Sequence, residues 1–270
     1  MAKPSPAAFS AEDQPLPGSV YAERVESKFL VPESKACKIE NRVGEELPRE
    51  KFPDNKEGVI WSVYFDNARL LCYRHQAYGH PYPFKVRFRR YGNCPNGFWE
   101  IKEKCGETVY KSRVPVSLRS ELDLGEELAG ADTAPESGKI LDRIKRYRLI
   151  PMLVVRQHRN AYEDKHGKFR ITFDRFLRVR PVALKSKEKE SSLLQDHVVI
   201  MEIKRAAHDA KGFVAAMQHE FHLEELGFSK YCRATEVLCG TRAGFVNWVS
   251  ALCHGVIEHD AGHVWKNIDE

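Results

Sequence analysis

The sequence predicts an α+β fold in which eight short antiparallel strands and a few helices form a barrel or a sandwich. Two observations carry that reading. Short runs of alternating apolar and charged residues recur along the chain, bounded by turn residues such as Gly92, Gly106 and His166-Gly167. Segments with helical spacing of apolar residues are fewer. A third observation, the sign of the charge on the strands, favours the barrel.

Residues 1–19, rich in Pro, Ser and Ala, read as a disordered tail. A strand is expected over Arg24–Val31 and a helix over Glu33–Glu45. Four strands follow, over Val59–Asp66, Phe84–Tyr91, Phe98–Lys104 and Val109–Pro115, with Asn96-Gly97 read as a turn. Helices are expected over Arg119–Leu128 and Ser137–Tyr147. The last three strands are expected over Leu153–Tyr162, Lys168–Arg175 and His197–Arg205. A final helix over Ala210–Leu226 places Phe213, Val214, Met217 and Phe221 close to helical spacing, with Gly227 as its C-cap. Segments 129–138 and 185–196 read as surface loops. One domain over 20–245 accounts for these elements, leaving 246–270 as a C-terminal extension.

Composition excludes several classes. The net charge of +5 is too small to name a partner, so the position of the charges matters more than their sum. Seven cysteines, an odd number with no CxxC pair, read as free thiols in a reducing compartment rather than a zinc or redox site. The N-terminus has no apolar signal core, and no run approaches the roughly 20 apolar residues of a membrane helix. A cytoplasmic protein without direct membrane contact is therefore expected. There is no GxxxxGK[ST] motif for a P-loop. His219 and His222, and His254, His259 and His263, read as surface or packing residues.

Residues two apart on a strand share a face. That rule groups Lys85, Arg87 and Arg89 opposite Phe84, Val86 and Phe88. It groups Glu100, Lys102 and Lys104 opposite Trp99 and Ile101, and pairs Lys111 with Arg113. Lys168, Arg170, Thr172 and Asp174 oppose Phe169, Ile171 and Phe173; Glu202 and Lys204 oppose Met201 and Ile203. Arg24, Glu26 and Lys28 share a face, as do Gln157 and Arg159. A solvated sheet face usually mixes signs in cross-strand pairs. Here the polar faces are mostly cationic, while the opposite faces need burial under helices. The cationic faces then line an interior channel, where their mutual repulsion calls for an anion. A phosphate chain fits, because Arg binds its oxygens bidentately and Lys acts as a point charge. Glu202 is the best candidate ligand for a bridging divalent metal. Glu26 and Glu100 are open to metal or water contacts and to ion pairing. Nucleic acid is not expected, since no aromatic stacking platform interleaves with the cations.

Nine segments in order carry a resemblance: RVESKFLV from Arg24, SVYFDN from Ser62, KVRFRRYG from Lys85, FWEIKEK from Phe98, VYKSR from Val109, RNAYED from Arg159, FRITFD from Phe169, IMEIK from Ile200 and SKY from Ser229. Together they resemble the VTC domain, the polyphosphate polymerase domain of the triphosphate tunnel metalloenzymes, related to CYTH domains. The resemblance implies a closed antiparallel eight-stranded β-barrel tunnel with flanking helices. It also implies an ATP-polyphosphate phosphotransferase that uses Mn²⁺ or Mg²⁺, with ATP and inorganic polyphosphate as partners. By position, it implies a catalytic set of Arg87, Arg89, Arg159, Arg170 and Lys102. It also carries Lys28, Lys111, Ser229 and Lys230 into the phosphate site and Glu202 into the metal site; Lys204 and Arg24, on the same polar faces, are expected to extend the phosphate site, and Glu26 is the second candidate metal ligand. Two departures stand out. Gln157 replaces a tyrosine common in relatives, and Arg24 replaces the first acid of the ExExK start of CYTH-type hydrolases. The second departure favours polymerase over tripolyphosphatase, which stays open as the alternative beside a non-catalytic phosphate sensor.

Overall fold

The computed structural model describes residues 24–52, 58–92, 94, 96–106, 108–117, 135–167, 169–182, 190–206 and 211–240. The strands are β1 (Arg24–Pro32), β2 (Val59–Asp66), β3 (Phe84–Tyr91), β4 (Asn96–Cys105), β5 (Thr108–Ser117), β6 (Ile150–Glu163), β7 (Phe169–Pro181), β8 (Ser191–Ser192) and β9 (Val198–Ala206). The helices are α1 (Glu33–Glu46), α2 (Leu71–Ala77), α3 (Pro135–Tyr147), α4 (Lys211–Phe221) and α5 (Lys230–Cys239). The expected helix over Arg119–Leu128, the N-terminal tail and the C-terminal extension lie outside the described residues.

All pairings are antiparallel, and the sheet runs β1-β9-β7-β6-β2-β3-β4-β5, with β8 added beside β7. This is a correction to the expected closed eight-stranded barrel. The sheet has nine strands, and its two ends, β1 and β5, are not joined by hydrogen bonds among the described residues. It is nevertheless strongly curled. Five strands separate β1 from β4, which in a flat sheet would put them roughly 29 Å apart. Yet Lys102 of β4 donates to Glu26 of β1 at 3.0 Å. The two strands face each other across the concave side.

The convex side is the apolar one. Phe29, Val31, Phe173, Met201 and Ile203 pack under α1 and α4. Helix α1 buries Ala36, Ile39, Glu40 and Val43, one stripe at helical spacing. Val63, Phe65, Val86, Phe88, Trp99 and Ile101 form the other half, with Ile140 of α3 against them. Each such fully buried side chain contributes about 1.5–3 kcal/mol, so the apolar faces fix which side of every strand points outward.

Several local expectations change. Asn96-Gly97 is the start of β4 rather than a turn: Gly97 sits opposite Arg90, and a Cβ there would collide with the Phe88 ring. Strand β7 continues past Arg175 because a bulge opposite Arg156–His158, with Phe176 at φ 49°, shifts the alternation. The last expected helix ends at Phe221, not at Gly227. His222 takes the left-handed conformation at φ 47°, and Leu226 then donates its N–H to the Lys28 carbonyl on the edge of β1. Helix α2 was not expected. Asp66 starts it, accepting from the backbone N–H groups of Cys72 and Tyr73. Helix α5 was also missed, although Ser229 caps it by accepting from the Cys232 N–H. The six described cysteines are free thiols, as expected.

Candidate functional site

Strand register decides which predicted cations meet. Tyr64 and Ser62 of β2 stand opposite Arg87 and Arg89 of β3, and Arg87 stands opposite Glu100 of β4. Glu100 stands opposite Arg113 of β5, and Lys102 lies between Lys85 and Lys111. The outcome is one buried acid ringed by cations. Glu100 lies 2.7 Å from Arg87, 2.8 Å from Lys111, 3.5 Å from Arg113 and 3.9 Å from Arg89. Burial alone would raise the Glu100 pKa, but Arg87, Arg89 and Lys111 outweigh it and hold the carboxyl well below the usual range. Arg87 also donates to the Tyr64 hydroxyl at 3.3 Å, and Arg89 to Ser62 at 3.2 Å.

A second acid organises the neighbouring strands. Asp174 of β7 stands opposite Arg159 of β6, which grips it bidentately at 2.6 and 2.7 Å. Lys230, at the first turn of α5, donates to the same carboxylate at 2.5 Å. Asp174 is fully buried. Burial opposes its ionisation, but Arg159 and Lys230 push its pKa down to about 2.

The β1–β9 pair differs. Glu26 stands opposite Lys204, and Lys28 opposite Glu202. Glu26 bridges Lys28 at 3.1 Å and Lys102 at 3.0 Å, while Glu202 holds Lys204 at 2.9 Å. Burial would raise Glu202, but Lys204, with Lys230 and Arg159 behind it, holds it well below the usual range. Among the described residues no group of three or more metal-ligating side chains occurs. Two adjacent carboxylates suit a hard divalent ion that draws its remaining ligands from phosphate and water.

Most of the predicted residues therefore line one concave surface. Lys28, Arg87, Arg89, Lys102, Lys111, Arg159, Lys204 and Lys230 all take part in these ion pairs, and Ser229 joins through Lys85, which donates to its hydroxyl at 2.9 Å. Arg170 is the exception: its guanidinium pairs with Glu50 at 2.5 Å rather than with the inner acids. The side chain of Arg24 lies outside the described residues. Lys85, Arg113 and Asp174 were not assigned a role from sequence, although strand parity had already put them on the polar faces; for Glu100, the ion-pairing option is the one the structure shows. Thr172 Oγ1 and Gln157 Nε2 are buried on this side with no hydrogen-bond partner among the described residues, leaving polar capacity for a ligand.

One end of the concave face is apolar. Leu153 and Val155 of β6 stand opposite Tyr64 and Ser62 and are fully buried. Tyr231 of α5 stacks on Tyr64 with ring centroids 5.2 Å apart, and its hydroxyl donates to Asp66. Helix α5 thus covers this end, and its N-terminal residues Ser229 and Lys230 reach the cations.

Comparison with known proteins identifies a family for the chain. The family model described as the VTC domain matches residues 23–239. No curated protein sequence matches the chain significantly. Among solved structures, a candidate adenylyl cyclase from Hippeastrum, described as having a dominant triphosphatase activity, aligns at 14% identity with a TM-score of 0.51. The alignment covers 80% of this chain and 96% of that one. A candidate adenylate cyclase from Bacillus halodurans aligns at 10% identity and a TM-score of 0.49, over 77% and 94% of the two chains. Another, from Vibrio parahaemolyticus, aligns at 11% identity and 0.44, over 79% and 98%. At 14% identity the likeness to the Hippeastrum protein is one of fold.

Proposed function

Because the chain belongs to the VTC domain family, we propose that its concave face binds the phosphates of ATP and polyphosphate and transfers the ATP γ-phosphoryl group to a growing chain. The observation that carries this reading is the excess of inward cations over the acids Glu26, Glu100, Asp174 and Glu202, together with the unpartnered Thr172 and Gln157 atoms. In the reaction, an oxygen of the chain's terminal phosphate attacks the γ-phosphorus. The bond from γ-phosphorus to the β–γ bridging oxygen breaks, and ADP leaves. Such a transfer needs positioning and charge neutralisation more than covalent help. Arg87, Arg89 and Arg159, pre-oriented by Glu100 and Asp174, neutralise the transferring group. Lys28, Lys102, Lys111, Lys204 and Lys230 hold the flanking phosphates. Arg170 lies at the rim, where exchanging Glu50 for a phosphate oxygen would bring it in. Glu26 and Glu202 would hold Mn²⁺ or Mg²⁺, which neutralises phosphate oxygens when bound.

Incubation with ATP and Mn²⁺ tests the proposal: ADP with a growing polyphosphate ladder is expected. Hydrolysis is the second reading, favoured by the triphosphatase activity described for the Hippeastrum protein. Orthophosphate release without a ladder would establish it. Arg24, standing where CYTH-type hydrolases have an acid, supports the transferase. Polyphosphate binding without any metal-dependent turnover would leave a sensor.

A further inference from the structure

Every inward cation described above sits within 4 Å of a carboxylate, with one exception. Lys28 and Lys102 share Glu26; Lys111, Arg87, Arg89 and Arg113 share Glu100. Lys204 has Glu202, and Lys230 and Arg159 have Asp174. Lys85 has only the neutral Ser229 hydroxyl, 2.9 Å from its ammonium, and no carboxylate among the described residues. Its surroundings make this costly. It lies opposite Lys102 in the strand register. Burial is the main cause that lowers its pKa, and Lys102 and Lys28 lower it further. Its partner Ser229 already accepts from the Cys232 N–H, and Lys230 follows directly on α5. A half-buried cation that meets other cations and no carboxylate is stabilised when an anion completes it.

We propose that Lys85, with Ser229, is a phosphate ligand at the α5-covered end of the concave face, where it binds oxygens of the last phosphate group to enter. This rests on the phosphate-binding reading above. The site takes a phosphoryl group of a linear chain: one ammonium and one hydroxyl supply donors at a point that Tyr64 and Tyr231 close off with their stacked rings. An arriving oxyanion also relieves the Lys85–Lys102–Lys28 repulsion, so binding draws in a proton wherever Lys85 has begun to lose its own.

Calorimetric titration with inorganic tripolyphosphate, without metal, tests this on the wild-type chain and on Lys85→Met, Lys85→Arg, Lys111→Met and Lys145→Met. Lys85→Met is expected to weaken binding at least about tenfold, the size of one lost charged hydrogen bond. Its melting temperature should hold or rise, since the variant removes a half-buried cation that has no carboxylate partner among the described residues. Lys85→Arg should recover most of the affinity, and Lys145→Met, at an exposed position on α3, should change it less than about twofold. Heats measured in two buffers at alkaline pH should show proton uptake by the wild type that Lys85→Met lacks. Unchanged affinity in Lys85→Met while Lys111→Met binds weakly would sink the Lys85 assignment and leave the phosphate reading standing. A loss that comes with a lower melting temperature and is not recovered by Lys85→Arg would make Lys85 a packing residue, also overturning it. If the wild type itself does not bind tripolyphosphate, the phosphate reading falls and the Lys85 assignment with it.

Discussion

The wall formed by β3, β4 and β5 and the wall formed by β1 and β9 combine acids and bases in different proportions. In the first, a single carboxylate, Glu100, is surrounded by Arg87, Arg89, Lys111 and Arg113. In the second, two carboxylates, Glu26 and Glu202, adjoin each other and the lysines Lys28 and Lys204. The first wall has positive charge to spare and is suited to phosphate oxygens. The second is close to neutral, with two acids near enough to share a cation. Alternation alone makes every strand look alike, so the ratio of acids to bases on each wall is what separates an anion site from a metal site.

The comparison can be broken most directly at Glu202. Glu202→Gln should lower Mn²⁺-dependent turnover of ATP by about 1,000-fold, because a lost metal site removes several kcal/mol of charge stabilisation. Tripolyphosphate affinity without metal should stay within about threefold. Equal losses in both measurements would merge the two walls into one anion site.

Asp174→Asn comes next and addresses stability. It leaves Arg159 and Lys230 buried without their counter-charge, and should cost about 3–5 kcal/mol in urea unfolding. Added tripolyphosphate should restore part of that loss by supplying the missing anion. The pH profile follows from the same group. With its folded pKa at about 2, below the ordinary carboxylate value of about 3.9, Asp174 adds stability that is complete above about pH 5 and disappears as pH falls through about 2. The Asn variant should lose that acid-side slope; an unchanged slope would assign it to other carboxyls.

Smaller effects sharpen the contrast. Arg87→Ala should weaken tripolyphosphate binding about 10- to 100-fold, with turnover falling in step. Lys102→Met opens only a half-exposed bridge to Glu26, so it should change stability by less than about 1 kcal/mol. A larger effect of Lys102→Met would show that the β1–β4 bridge holds the curled sheet together.

Much of the site was legible before any fold was known, because the side-chain period of a strand is local. Lys85-Arg87-Arg89, Glu100-Lys102 and Glu202-Lys204 announce their shared faces from spacing alone, and large apolar residues on the other side say which face is buried. The short polar signals were harder to read. Asp66 and Ser229 each accept backbone N–H groups at the start of a helix, yet Asp66 does so from five residues before Leu71 and Ser229 is followed by a lysine, so neither stands out as a helix start. Gln157 and Thr172 looked ordinary until burial left their polar atoms without partners.

The sequence by itself determined that the chain alternates cationic and apolar faces over seven of its eight main strands, β2 carrying no cation, and that these faces belong on opposite sides of one sheet. Tertiary structure alone decided which faces meet. The order β1-β9-β7-β6-β2-β3-β4-β5 sets Glu26 against Lys102 from five strands away, brings Lys230 of α5 onto Asp174, and leaves Lys85 with a hydroxyl in place of an acid. The physical reason is one of range. Alternation is fixed by the backbone geometry of neighbouring residues, whereas strand order, sheet curl and the closing of one end by α5 come from burying the convex apolar face under helices drawn from distant parts of the chain.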